Sequence, residues 1–315
     1  MFPYMTPGKS PTPKDPRVTE QRNPRTADID LASALEIVDL ISAEDRGIAD
    51  VVHGQREPIA KAVEEAEATF RRGGRLIYIG AGTSGRLGVL DASEMPPTFG
   101  TAPEMVQGII AGGYAALTRS QEGAEDQLET AVKDLDAVGL RKGDFVIGIA
   151  ASGTTPYVRR ALEHGRSKGA STAIVACSPP PAETVAAADI LIVAVTGPEA
   201  VTGSTRMKAG TATKLILNRI TTGAMIRLGK TFGNLMIDMR ATNVKLVDRS
   251  QRIVMEVCEV DRDAAKQLIE NAGGVVKIAI VMHYLGVSRA DAEKALDKAG
   301  GVIRKAIGRK PPPVR

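Results

Sequence analysis

"RLIYIGAGTSGRLG", residues 75–88, passes from an apolar run into a loop of glycines and hydroxyl side chains and then into a helical pattern. "DFVIGIAASGTT", residues 144–155, repeats the order. Short apolar runs without alternation, closed by glycine, read as strands of a parallel sheet covered on both faces. In an open sheet of that kind the loops leave at the carboxyl edge, where ligands bind. Two similar loops can therefore converge on one ligand.

The rest of the chain supports an α/β fold. Residues 30–45, 58–74, 122–138 and 156–169 carry helical patterns, and a short helix is expected near 86–94. Strand-like runs fall within 105–113, 171–177 and 188–195. Alternation of this length implies a parallel sheet with helices on both faces. From about Arg206 the strands are expected to stop. Residues 207–229 form one long helical pattern, and 261–274, 275–286 and 288–301 have the lengths and glycine stops of a small three-helix unit. The expected division is a Pro-rich disordered tail over 1–18, an α/β domain with flanking helices over 19–250, a helical subdomain over 251–308 and a basic tail over 309–315.

Composition narrows the class. Aromatics are 3% of the 315 residues and Trp is absent, so the core must be Ala, Val, Ile and Leu. A net charge of +4 without a stripe of Lys and Arg among aromatics gives no nucleic-acid footprint. No apolar run reaches the length of a membrane span, and the N-terminus lacks the apolar core of a secretory signal. The expected compartment is the cytoplasm. Cys177 and Cys258 read as buried small apolar residues rather than a disulfide or ligand pair. His53, His164 and His283 fall on separate helices with no metal-site spacing.

The first loop satisfies G-x-G-x-x-G, a pattern shared by dinucleotide sites and simpler phosphate sites. A dinucleotide site also needs an acid roughly 20 residues on, at the end of the next strand. Glu104 has about that spacing but precedes the apolar run. The hydroxyls Thr83, Ser84, Ser152, Thr154 and Thr155, with backbone N–H groups at helix starts, suit a phosphate monoester better. Two acidic clusters, 91–94 and 122–126, then supply the chemistry, the second expected to open a helix. Paired carboxyl groups can serve as base and acid in proton transfer at carbon. The residues alone indicate a metal-free sugar-phosphate isomerase or lyase.

The motifs together are more specific. "TEQRNPRTADIDLAS" (19–33), "LIYIGAGTSGRLGVLDASEMPPTFG" (76–100), "EGAED" (122–126), "GIAASGTTPYV" (148–158) and the long run 201–246 opening "VTGSTRMKAGTA" resemble the N-acetylmuramic acid 6-phosphate etherases of the sugar isomerase (SIS) superfamily. The resemblance extends from about Thr19 to about Ile307. It implies a SIS sandwich with a small C-terminal helical subdomain and a homodimer with the site near the subunit interface. It also implies a cell-wall recycling lyase that needs no metal or nucleotide and splits a lactyl ether by elimination and hydration. The family's acid/base glutamates fall on Glu94 and Glu125. The phosphate is expected against Gly82, Thr83, Ser84 and Gly85 with Ser152, Gly153, Thr154 and Thr155; Ser204, Thr205 and Lys208 are expected beside the sugar. Thr154 stands where the family pattern has Arg. The alternatives are a non-catalytic sugar-phosphate-binding regulator, a sugar-phosphate isomerase and, more remotely, an NAD oxidoreductase.

Overall fold

Strand β1 (Leu76–Gly80) carries no charged residue and is buried at every position. In the computed structural model, which describes residues 15–238 and 244–313, it lies inside a five-stranded sheet. The other strands are β2 (Val106–Ile110), β3 (Phe145–Ile149), β4 (Ser171–Ala176) and β5 (Ile190–Val193), in the order β2-β1-β3-β4-β5 with every pair parallel.

Both faces of this sheet are apolar, which is why the strands do not alternate in sequence. Leu76, Tyr78, Phe145, Ile147 and Val175 pack with the helices Arg56–Arg71, Gly82–Phe99 and Lys208–Arg227. On the opposite face Ile77, Ile79, Val146, Ile174 and Ala176 pack with Leu128–Ala137 and Pro156–Ser167. The chain steps from β1 outward to β2, then returns across β1 to β3. Strand order therefore reverses between β1 and β3, and a crevice opens at their carboxyl ends.

Three expectations change. The helix foreseen near 86–94 spans Gly82–Phe99 and holds Pro96 and Pro97 near its C-terminal end. Strands do not stop at Arg206: Thr231–Phe232 pairs antiparallel with Leu235–Met236. The turn between them is Gly233-Asn234, with Gly233 at φ +61°, a hairpin signal that its two-residue strands made easy to miss. Phe232 and Ile237 join a second core with Val254, Val257, Ile280, Val281 and Ile303. The helix Val244–Cys258 runs through residue 250 and packs into that same core.

The expected N-terminal tail falls on residues 1–14, outside the described residues, but Asp15 to Val18 are placed against the body. The Val18 amide donates to Ser178 Oγ at 3.0 Å. At the other end Arg309 lies 4.9 Å above the Tyr284 ring, and residues 314 and 315 are outside the described part. Both cysteines are buried. His164 is buried too, with Nε2 2.9 Å from Asp136. Among the described residues no single helix is long and apolar enough to cross a membrane.

The turn from β1 into its helix depends on one close approach. A Cβ on Gly85 would lie 2.6 Å from the Gly80 carbonyl oxygen and 2.7 Å from Ile110 Cγ1. Neither the backbone nor the strand side chain can retreat without shifting the loop. Gly85→Ala is expected to destabilise the protein by about 1–3 kcal/mol, read as a lowered midpoint in denaturant; an unchanged midpoint would show that the loop gives way freely.

Candidate active site

Gly80 of β1 and Ile149 of β3 are register partners, so the two loops leave the sheet side by side, ~5 Å apart. The first enters the helix Gly82–Phe99 directly, with Ala81 as N-cap and no capping side chain. The first N–H groups of a helix have no acceptor within it, and they carry the positive end of its dipole. Gly82, Thr83 and Ser84 are those residues. The second loop enters Pro156–Ser167 through Thr155, again without a side-chain cap. Its turn is closed by the Gly153 amide on the Ala150 carbonyl, 2.9 Å. Ser152 Oγ and Thr154 Oγ1 lie 2.8 Å apart.

The loops face one another across a cleft of about 510 Å³, which Glu125, Asp126, Gly203, Thr205, Arg17 and Glu20 complete. Larger hollows of about 920 and 1050 Å³ lie against the C-terminal helices and contain neither loop. Of the expected binding residues, Gly82, Thr83, Ser84, Ser152, Thr154, Thr155 and Thr205 line the cleft. Gly85 and Gly153 sit behind it and shape the loops. Ser204 also lies outside the lining, its amide bonded to the Val201 carbonyl.

Glu125 reaches the cleft from the 3₁₀ turn Ala124–Asp126, not from the start of a helix as its pattern implied. Arg86 ties the preceding segment down, donating to the carbonyls of Ala116 (2.7 Å) and Leu117 (3.0 Å). Glu94 is elsewhere. It is exposed on Gly82–Phe99, twelve residues from Gly82 and so ~18 Å along the axis. Within one chain the two glutamates do not meet. Asp91, from the same acidic cluster, is structural: it accepts from Tyr78 Oη (2.9 Å) and Asn218 Nδ2 (2.6 Å). Burial raises its pKa, and burial with the Asp91 charge raises that of Tyr78.

Lys208, expected beside the sugar, does not line the cleft. Its side chain is 4% exposed and its ammonium donates to Glu44 Oε2 at 2.6 Å. Arg25 Nη2 donates to the same carboxylate at 2.7 Å. Buried Glu199 accepts from the amides of Lys208 (3.0 Å) and Ala209 (2.9 Å), capping the helix Lys208–Arg227 from outside its own sequence. These groups hold the wall that carries Gly203 and Thr205. Arg17 and Glu20 are not among the expected site residues, because local spacing places the N-terminal segment in a tail or a flank. Glu104 sits at the amino end of β2, the far edge from the cleft, so it is not placed to hold a ribose there.

Residues 58–165 match the family model of the glucokinase regulatory protein N-terminal SIS domain. The chain is 55% identical over 264 residues to the N-acetylmuramic acid 6-phosphate etherase of Rhodopirellula baltica, covering 84% of this chain and 87% of that one. The etherases of Photorhabdus laumondii (52% identical; 84% and 88% covered) and Clostridium botulinum (50%; 85% and 88%) are similarly related. The chain belongs to the N-acetylmuramic acid 6-phosphate etherase family. The etherase motifs are thus the loops, the turn and the capped helix that build the cleft.

The Glu44 network gives the protein a pH signature. Hydrogen bonds from Arg25, with a further one from Lys208, outweigh burial and lower the Glu44 pKa to about 2. A carboxyl lowered on folding stabilises above its unfolded pKa, near 4.3, and loses that contribution as pH falls toward the folded value. Stability should drop between about pH 5 and 2 by on the order of 3 kcal/mol from this group. Glu44→Gln should be less stable at pH 7, with Lys208 left unpaired, and should show a shallower acid slope. Parallel slopes in denaturant titrations would remove Glu44 as the source.

Proposed function

We propose that this chain cleaves the D-lactyl ether of N-acetylmuramic acid 6-phosphate, giving N-acetylglucosamine 6-phosphate and D-lactate. Family membership supports the activity. One observation carries its placement: two uncapped helix starts with hydroxyl loops face each other over a cleft that also holds Glu125. Such N–H groups and hydroxyls bind a terminal phosphate, here through Thr83, Ser84, Ser152, Thr154 and Thr155. Gly203 and Thr205 border the sugar.

With the phosphate so held, Glu125 is the group in position to move the C2 proton of the open-chain aldehyde. The C2–H bond breaks, the electron pair forms C2=C3, and the C3–O bond releases lactate, whose oxygen takes a proton. Water then adds its oxygen at C3 and a proton returns to C2. A carboxyl group serves both the leaving oxygen and the water.

Glu94 takes that second role from a neighbouring protomer. Supporting this are its exposure, its distance from its own cleft, and Leu90, an apolar side chain 50% exposed on the same helix. A homodimer would cover such a side chain and bring Glu94 to the other cleft.

A proton NMR time course in deuterated water tests the reaction. Lactate release with deuterium at C2 of the product is expected; saturable binding without lactate would favour a non-catalytic regulator. Glu125→Gln should lower kcat by roughly 10²–10⁴ with KM nearly unchanged, and normal turnover would remove it from the chemistry. Mixing inactive Glu94→Gln and Glu125→Gln chains tests the shared site. Heterodimers would hold one intact cleft, restoring about a quarter of normal activity. No recovery would place the acid within one chain, where Glu20 already lines the cleft.

A further inference from the structure

Among the described residues three carboxylates line the cleft, Glu20, Glu125 and Asp126, against a single cationic side chain, Arg17. A phosphate monoester brings a charge of about −1.5 to −2 near neutral pH, and a lactyl ether brings a carboxylate as well. Helix N-termini and hydroxyls supply only partial positive charge. Thr154 at the tip of the second loop adds a hydroxyl and no cation.

Arg17 is held ready for that task. Its amide and Nε donate to Asp15 Oδ1 at 2.8 and 2.9 Å, and Nη2 donates to Asp15 Oδ2 at 2.6 Å. Among the described residues Nη1 has no hydrogen-bond partner. The segment carrying it is pinned to the body at four further points. Val18 bonds to Ser178, the Gly203 amide donates to the Thr19 carbonyl (3.3 Å), Asn23 Nδ2 to the Pro198 carbonyl (3.2 Å) and Thr26 Oγ1 to the Ala200 carbonyl (2.8 Å). The same segment thus sets both the Arg17 fork and the wall at Gly203. A guanidinium whose stem is already fixed loses little freedom on meeting an anion.

We infer that Arg17 is the cation that binds an anionic group of the substrate in this cleft, its phosphate or its lactyl carboxylate. The inference rests on the sugar-phosphate function proposed above, so the test measures wild type and variants together. KM and kcat are measured with N-acetylmuramic acid 6-phosphate, and the affinity for N-acetylglucosamine 6-phosphate, which lacks the carboxylate, by calorimetry. Arg17→Ala should raise KM roughly ten- to a hundredfold with kcat and thermal midpoint little changed. Arg17→Lys, which keeps charge but not the fork, should recover part of the loss. Weakened product binding as well assigns Arg17 to the phosphate; a raised KM with unchanged product binding assigns it to the carboxylate. Unchanged KM and product affinity in Arg17→Ala, whatever its kcat, overturn the inference and leave the function standing. A wild-type protein that neither binds the sugar phosphate nor releases lactate overturns both.

Discussion

The pairing of Gly80 with Ile149 across β1 and β3 is the constraint on which the cleft depends. Because β1 lies between β2 and β3, the strand order reverses at this pair. Two helices then start beside each other at the carboxyl edge. Had β3 paired outside β2, the two hydroxyl loops would lie apart and neither alone would form more than a helix cap. The approach of Gly85 to Gly80 and Ile110 keeps the first helix tight on its strand. Its free N–H groups thereby stay at the edge of the sheet.

A second set of contacts closes the cleft from the side. Buried Glu44 joins Arg25 of the N-terminal segment to Lys208 at the start of the long helix, and Glu199 caps that helix. Removing one partner of such a group leaves a buried charge uncompensated, so these residues act together. The positive charge of Lys208 is consumed in building the wall. Among the described residues that leaves Arg17 as the cation lining the cleft, beside a second loop whose Thr154 adds a hydroxyl and no charge.

Glutamate placement separates chemistry from location. Glu125 enters the cleft on a short turn that Arg86 anchors through Ala116 and Leu117. Glu94 stands exposed on the helix that begins at the first hydroxyl loop. A single helix cannot present its first turn and its fourth turn to one small cleft, since the rise along the axis separates them.

The sequence by itself determined the α/β class, the five strands of the sheet and the two hydroxyl-rich loops that follow two of them. Each is a local property: apolar runs without alternation, glycine stops and hydroxyls at helix starts are visible within a dozen residues. It also carried the motifs that give the family. Tertiary structure alone brought Arg17 and Glu20 to the cleft and turned Lys208 away from it. Lys208 turned inward because Glu44, far away in sequence, needed a partner in the core. Arg17 and Glu20 turned out to line the cleft because the N-terminal segment folds back along Ser178, Pro198 and Ala200. Pairings across such separations follow from packing and leave no mark in local spacing.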